Sequence, residues 1–219
     1  MIKRRIVGLL ACFAFALASA SFVEASSIYV QTTPSGATTI PGLVGSTVIT
    51  FESVTPGTYS TLTLSGVTFT PDDSNLMWVD GAYAGNYNTF GQSLHNNYDP
   101  KSFNTLNINF NGTTSGFGFF WGASDTQWYL NAYNSSDSLI ESFALPITSF
   151  SNAGDFVGLL DPGIASATLV GTGSDYIFVD NFEFNGTSST TTVPEPGSLS
   201  LLGTGLLATF GMVRRRFAR

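Results

Sequence analysis

The chain contains very few residues of the kinds that perform thiolate, disulfide or metal chemistry. Among its 219 residues there is one cysteine, Cys12, and one histidine, His95. Cys12 lies in an apolar stretch near the N-terminus that we expect to be removed during export. The exported protein then has no thiol, which excludes disulfides, cysteine nucleophiles and cysteine-ligated metals.

Basic residues are nearly absent from the middle of the chain. Of the eight lysines and arginines, all except Lys101 lie within residues 3–5 and 214–219. There are 15 acidic residues, and all except Glu24 and Glu195 lie in the middle region. A domain of this charge cannot neutralise phosphates, so nucleic acid is excluded as a partner and cations are the more natural ligands.

No familiar catalytic motif is present. The sequence has no G-x-S-x-G, no H-E-x-x-H, no phosphate-binding glycine loop and no cluster with zinc-ligand spacing. His95 lies in the polar run GQSLHNNYDP, which predicts a solvated loop residue, and Asp72 and Asp73 in PDDSN are predicted turn residues. We therefore expect no enzymatic activity. A hidden pair of carboxylates would suffice for glycoside hydrolysis, which leaves that alternative open.

Residues 1–25 have the pattern of a secretory signal peptide. The basic residues KRR precede the apolar stretch IVGLLACFAFAL, and the small-residue motifs ASA and VEA follow it. The apolar stretch is shorter than the roughly 17 to 25 residues that a membrane-spanning helix needs. We expect cleavage after Ala20 or Ala25.

Residues 26–184 form the predicted folded body, and their periodicity is that of short β-strands. In LNINFN, Leu106, Ile108 and Phe110 alternate with asparagines, which predicts one buried and one solvated face. YSTLTLSGVTFTP predicts a hairpin that turns at Ser65 and Gly66. The other predicted strands are residues 48–52, 77–79, 116–121, 127–132, 139–144, 156–160, 165–170 and 176–184. This series of short strands and polar turns favours an all-β fold, an antiparallel β-sandwich of the jelly-roll type.

One loop-like segment between the predicted strands is rich in aromatic residues. WVDGAYAGNYNTFGQSLHNNY contains Trp78, Tyr83, Tyr87 and Tyr98 among glycines and asparagines, and it is too irregular for a strand. These rings either stack on sugar rings, as a carbohydrate-binding site, or cap one end of the sandwich with buried area.

A structural calcium ion is predicted near Glu52 and Asp180. Strict alternation in FVDNFEF places Asp180 on the same face as Phe178, Phe182 and Phe184. A carboxylate that faces a core is unfavourable unless it is paired or coordinated, and calcium accepts carboxylate and carbonyl oxygens. Because the first and last strands of a jelly roll commonly lie close together, Glu52 is the expected second ligand. The alternative is that Asp180 accepts hydrogen bonds from backbone amides or hydroxyls at a strand end.

The chain ends in three segments that follow a polar linker, residues 185–192. Residues 193–196 read VPEP, residues 197–213 are uncharged and largely apolar, and residues 214–216 are arginines. As a helix, residues 197–213 would be about 25 Å long, just enough to enter a hydrocarbon core of about 30 Å with the arginines in the cytoplasm. The segment is therefore either a permanent membrane anchor or a handle that a peptidase removes. The flanking prolines hold Glu195 in an extended segment, which suits a peptidase.

Residues 193–219 resemble the PEP-CTERM sorting signal of bacterial exported proteins, which combines a Val-Pro-Glu-Pro motif, a glycine-containing apolar helix and an arginine cluster. The resemblance implies recognition by exosortase, a membrane-embedded cysteine transpeptidase that removes the helix and releases or attaches the body. Such proteins commonly occur in bacteria that make exopolysaccharide. The resemblance assigns the sorting motif to Val193, Pro194, Glu195, Pro196, Arg214, Arg215 and Arg216.

Together these features predict an exported protein of the cell surface or extracellular matrix with a non-catalytic β-sandwich. We expect an inner-membrane intermediate, held by residues 197–213, that exosortase processes. The sandwich is expected to associate with exopolysaccharide or with other surface proteins. The alternatives are a secreted carbohydrate-active enzyme of the glycoside hydrolase type and a permanently anchored surface protein.

Overall fold

The computed structural model describes residues 27–32, 40–72, 75–96 and 104–186. Within these ranges the chain forms twelve β-strands and no helix. The strands are β1 (Ser27–Thr32), β2 (Ser46–Ile49), β3 (Gly57–Tyr59), β4 (Leu62–Leu64), β5 (Val67–Pro71), β6 (Met77–Asp80), β7 (Ser93–His95), β8 (Thr105–Gly122), β9 (Trp128–Asn134), β10 (Leu139–Ala144), β11 (Asp155–Gly171) and β12 (Phe178–Asn185). None of the described residues belongs to a helix long and apolar enough to cross a membrane. The predicted signal peptide and the predicted helix at 197–213 lie outside the described residues.

All strand pairs are antiparallel, and they join into one continuous sheet. The order is β10-β9-β11-β8-β12-β7-β6-β3, with β1 beside β11, β2 beside β12, and the β4–β5 hairpin beside β8. The long strands β8 and β11 pair with each other along most of their length. Their two halves have different outer neighbours, because β5 and β9 flank one half whereas β1 and β12 flank the other.

Both halves of this sheet contribute to one hydrophobic core. Leu106 and Leu169 from one half and Trp121 and Phe182 from the other belong to the same buried cluster. The sheet therefore folds over on itself, with its inner faces together, which confirms the all-β class and the antiparallel sandwich. The jelly-roll connectivity stays a prediction.

The local patterns in the sequence correctly predicted several elements. Leu64 pairs with Val67 across a turn in which Ser65 and Gly66 have φ values of 49° and 87°, as a tight hairpin turn requires. In β8, Leu106 and Ile108 are buried, and the intervening asparagine side chains lie on the opposite face. Hydrophobic alternation is reliable here because only one face of this part of the sheet is covered.

Other elements differ from the predictions. The predicted strands at 106–111 and 116–121 are one strand of 18 residues, and those at 156–160 and 165–170 are one strand of 17 residues. The intervening segments GTTS and DPGI read as turns, but the backbone continues through irregular register, with Gly112 at φ 105° and Gly163 at φ 90°. Strands β1, β3 and β7 were not predicted.

The prediction that Asp180 shares one face of its strand with Phe178, Phe182 and Phe184 is correct only in part. Asn181 has φ 44°, and the pairing of β12 with β8 shifts register between Asp180 and Glu183. This β-bulge reverses the alternation, so Phe182 and Phe184 lie in the main core while Asp180 remains on the opposite face. Strict alternation across Asn181 was therefore wrong.

A second, smaller hydrophobic cluster covers the outer face of β8 and β11. It consists of Ile40, Leu43, Phe120 and Phe156. Glycines in the paired strands leave room for this layer. A Cβ atom at Gly158 would lie 2.7 Å from both Ile40 Cδ1 and the carbonyl oxygen of Phe117.

We predict that Gly158→Ala destabilises the protein by about 2 kcal/mol, because an added methyl group overpacks the site against backbone. Gly173→Ala is the control, since no heavy atom lies within 4 Å of its added Cβ. Urea unfolding of both variants measures the difference. Equal stabilities for the two variants would contradict the described packing of residues 40–43 on the sheet.

Candidate functional site

A cleft of about 240 Å³ opens at one end of the sandwich. At this end the last residue of β8, Gly122, pairs with Phe178 at the start of β12, and Phe178 also pairs with His95 of β7. The loops that follow β6, β8, β10 and β11 converge here. The cleft is lined by Tyr83, Tyr87, Ala123, Asp125, Ser149, Phe150 and Tyr176.

Four aromatic rings dominate the lining of the cleft. The ring centroid of Tyr83 lies 5.8 Å from that of Tyr87 and 5.5 Å from that of Tyr176. Phe150 lies 6.3 Å from Tyr87 and is 82% exposed. Beneath them, Tyr87 stacks on the buried Phe178 at an interplanar angle of 7°. The cluster is thus anchored on buried rings but presents aromatic surface to solvent.

The backbone near Tyr87 lies very close to the end of β8. A Cβ atom on Gly122 would collide with the carbonyl oxygen of Tyr87, so glycine is required for this approach. Tyr87 and Asn88 both have positive φ. Ala123 and Ser149, which line the cleft, also have positive φ. Such conformations are unfavourable for non-glycine residues and persist only where the surroundings impose them.

Asn88 ties the loop after β6 to the strands beside it. Its Nδ2 donates to the Trp121 carbonyl oxygen at 2.8 Å and to Asp155 Oδ2 at 3.0 Å. Its Oδ1 accepts a hydrogen bond from the Gly154 backbone amide at 2.8 Å. One buried side chain therefore ties this loop to β8 and to the start of β11.

Asp175 has the same function for the other wall of the cleft. Its carboxylate, 4% exposed, accepts hydrogen bonds from the backbone amides of Asp125, Thr126 and Tyr176 at 2.9 to 3.1 Å. The Trp128 indole Nε1 donates to the same group at 2.8 Å. These bonds fix the backbone that carries Asp125 and Tyr176, two residues of the cleft.

His95 lies directly behind the rings. It is 3% exposed, so the prediction of a solvated loop residue was wrong. Its Nδ1 lies 2.8 Å from the Asn96 carbonyl oxygen and 3.2 Å from the hydroxyl of Tyr176, and its Nε2 lies 3.4 Å from Asp80 Oδ1. The histidine thus supports Tyr176 from the inside of the sandwich.

The structure brings together part of the predicted aromatic site. Tyr83 and Tyr87 lie side by side in the cleft, as the sequence suggested. Trp78 is half-buried in β6 and does not line the cleft, and Tyr98 lies outside the described residues. Sequence reasoning did not identify Phe150, Tyr176 or Asp125, which reach the cleft from distant segments.

Glu52 and Asp180 both hold the loop after β6 by accepting hydrogen bonds from its backbone amides. Asp180 Oδ2 accepts a hydrogen bond from the Phe90 amide at 2.7 Å, and its Oδ1 accepts one from the Asn181 amide at 2.6 Å. Glu52 Oε1 accepts a hydrogen bond from the Gln92 amide at 2.7 Å. Backbone amides are therefore partners of Asp180, as the alternative to calcium proposed.

The environment of Asp180 favours its protonated form. Burial raises the pKa of its carboxyl group to about 7, the backbone hydrogen bonds from Phe90 and Asn181 lower it, and the charge of Glu52 raises it further. The described residues contain no group of three or more His, Cys, Asp or Glu placed to hold a metal ion, and calcium at this position stays a prediction.

Comparison with known families finds a match at the C-terminal end of the chain. Residues 192–216 match the PEP-CTERM protein-sorting motif, which confirms the resemblance in the tail. The match lies outside the described residues. No curated protein matches the chain.

Several solved structures share a likeness with this chain at low identity. The catalytic unit of a GH87 α-1,3-glucanase from Streptomyces thermodiastaticus is 12% identical, covers 69% of this chain and 28% of its own, and has a TM-score of 0.35. The enzymatically active domain of bacteriophage CBA120 tailspike protein 4 is 15% identical over 55% of this chain and 19% of its own, with a TM-score of 0.34. A point mutant of the family 29 carbohydrate-binding module CBM29-2 is 13% identical over 78% of this chain and 99% of its own, with a TM-score of 0.24. This chain spans less than a third of the first two, and likenesses this weak carry no argument about function.

We predict that Asp180→Asn removes a pH-dependent loss of stability. Because the pKa of Asp180 is raised from 3.8 to about 7 on folding, the folded state retains a proton that the unfolded state releases. This contribution is fully present below about pH 4 and is lost as the pH rises towards 7. The difference in melting temperature between variant and wild type should therefore shift in favour of the variant across this window.

Asp137→Asn, a substitution in an exposed turn, is the control for removal of one charge. A constant difference between Asp180→Asn and wild type across the window would contradict the pKa assignment. The same melting curves with a chelator test calcium, since a bound ion predicts a lower melting temperature in the wild type and no effect in Asp180→Asn.

Proposed function

We propose that this is an exported cell-surface protein whose β-sandwich binds carbohydrate at the aromatic cleft without chemical turnover. The observation that carries the proposal is the group of four rings, Tyr83, Tyr87, Phe150 and Tyr176, around one cleft. Aromatic faces are suited to the apolar faces of sugar rings. The cleft is smaller than the roughly 300 to 1,000 Å³ of pockets that enclose drug-sized ligands, which favours contact with one ring of a longer chain.

The arrangement of the walls also supports a binding function. The hydrogen bonds of Asn88 and Asp175 hold the loops before any ligand arrives, and a preformed site loses less entropy on binding. Asp125 is the only carboxylate among the lining residues. Glycoside hydrolysis commonly requires two carboxylates on either side of the scissile bond, so the lining favours binding over hydrolysis.

The sorting motif determines where this binding would take place. The PEP-CTERM motif indicates export and sorting to the cell surface through a membrane-anchored intermediate. We propose that exosortase recognises Val193, Pro194, Glu195 and Pro196 and removes the apolar segment, with the arginines at 214–216 held on the cytoplasmic side. The mature body would then associate with exopolysaccharide, or with other surface proteins, outside the cell.

We expect the exported protein to bind oligosaccharides on a glycan array and in calorimetry. Phe150→Ala and Tyr83→Ala should each weaken binding about three- to tenfold, because one aromatic contact contributes about 0.5 to 1.5 kcal/mol. Tyr129→Ala is the matched control, since Tyr129 is a 40% exposed tyrosine in β9 and does not line the cleft. Equal losses in all three variants, or no binding to any glycan, would reject the cleft as the site. Release of reducing sugar that a single carboxylate substitution abolishes would instead establish the enzyme.

The sorting part of the proposal makes a separate prediction. Intact mass of the surface-derived protein should show that the residues after about Pro196 are absent. Replacing Pro194 and Pro196 by alanine should leave a folded protein retained in the membrane, whereas Thr191→Ala in the linker should be processed normally. Detection of residues 217–219 on the mature wild-type protein would support the permanent anchor.

A further inference from the structure

The cleft carries one charged side chain, Asp125. It lies in the loop after β8, is exposed, and lines the cleft together with the four rings. Its backbone amide is held by the carboxylate of Asp175 at 3.0 Å. Among the described residues, no hydrogen bond engages the carboxylate of Asp125 itself. A fixed backbone therefore presents a carboxylate that is available to a ligand.

The charge of the surrounding body restricts which sugars can approach this carboxylate. The described residues include no lysine or arginine, while all but four of the 15 acidic residues of the chain lie among them. Among the described residues, uronic or sulfated sugars would meet acidic side chains and no lysine or arginine. A ligand that carries positive charge would gain from both the local and the overall field.

The aromatic walls favour the same kind of ligand. The faces of tyrosine and phenylalanine rings are electron-rich and attract ammonium groups within about 6 Å of the ring centre. The centroids of Tyr83, Tyr87 and Tyr176 lie within 5.5 to 5.8 Å of their neighbours, so a group seated between them can contact more than one ring. A carboxylate beside several such rings is the arrangement that recognises organic ammonium ions.

We propose that the cleft selects amino sugars with a free ammonium group, such as units of a deacetylated glucosamine polymer, over the corresponding hydroxyl and acetamido sugars. The inference rests on the proposed function, because it names the sugar class that the same cleft binds. The carboxylate of Asp125 accepts a charge-assisted hydrogen bond from the ammonium group, while the rings contact the sugar faces. A hydroxyl in the same position can also donate to the carboxylate, but it carries no positive charge, so it gains neither the Coulombic attraction of an ion pair nor the attraction of the ring faces for a cation.

Three hexasaccharides with the same β-1,4-linked glucose skeleton test the proposal. They differ only at carbon 2, which carries a hydroxyl in cellohexaose, an acetamido group in the N-acetylglucosamine hexamer and an ammonium group in the glucosamine hexamer. Calorimetry uses the exported protein in mildly acidic buffer, so that the amines are protonated, at about 0.1 M salt to screen distant charges. We expect the glucosamine hexamer to bind about tenfold more tightly than cellohexaose, because only the ammonium group forms an ion pair and a cation–π contact.

The variants separate Asp125 from the general negative charge of the body. Asp125→Asn should remove most of the preference for the glucosamine hexamer over cellohexaose. Asp137→Asn removes the same charge from an exposed turn and should keep the preference. A preference that falls equally in both variants, or that persists in Asp125→Asn, would overturn the assignment to Asp125.

The remaining outcomes distinguish this inference from the proposed function. Equal binding of cellohexaose and the glucosamine hexamer to the wild type overturns the amino-sugar preference and leaves carbohydrate binding intact. If none of the three hexasaccharides binds but other glycans on the array do, the amino-sugar preference is likewise overturned and carbohydrate binding stays intact. Failure of every glycan to bind overturns both.

Discussion

The end of the sandwich that carries the cleft depends on how two buried acidic side chains find hydrogen-bond donors without help from a lysine or arginine. The residues that the structure describes contain no lysine or arginine, yet Asp175 and Asp180 are 4% and 1% exposed. Buried carboxylates without partners are costly, so both groups accept hydrogen bonds from backbone amides, although burial still raises the pKa of Asp180 to about 7. Asp180 lies in β12 and accepts a hydrogen bond from Phe90 in the loop after β6, whereas Asp175 lies in the loop after β11 and accepts hydrogen bonds from the loop after β8 and from Trp128 of β9. Each carboxylate therefore fastens a loop to the sandwich.

This requirement produces a rigid end on the sandwich. Asp180 and Glu52 hold the loop that carries Tyr83 and Tyr87, and Asp175 holds the segments of Asp125 and Tyr176. Since the loops are held by acceptors inside the body, their aromatic side chains need not be buried to keep their places. The hydrogen bonds that stabilise the buried carboxylates therefore also hold the exposed rings in a fixed arrangement. Asp125 differs from these acids, because its carboxylate accepts no hydrogen bond from the described residues and remains available to a positively charged ligand.

Local sequence patterns predicted the parts of the fold that depend on local physics. The Ser65–Gly66 hairpin and the alternation of Leu106 and Ile108 follow from turn geometry and from a single buried face. Alternation failed at Asn181, because the interpretation assumed a regular strand through a residue type that tolerates positive φ and is depleted in strands. Half of the aromatic site was predictable, since Tyr83 and Tyr87 lie in one unusual segment. Phe150, Asp125 and Tyr176 join it through strand pairing across the sheet, and no periodicity in their own segments signals that meeting.

The most direct test of this account is a pair of crystal structures of the exported protein, free and saturated with a bound oligosaccharide. We expect a sugar ring against Tyr83 and Phe150, with the loop backbones displaced by less than about 1 Å and the hydrogen bonds of Asp175 and Asp180 intact in both. A sugar bound elsewhere, for example on the face of β9 that carries Tyr129, would contradict the assignment of the cleft. Loops that rearrange around the sugar would contradict the claim that buried carboxylates preform the site.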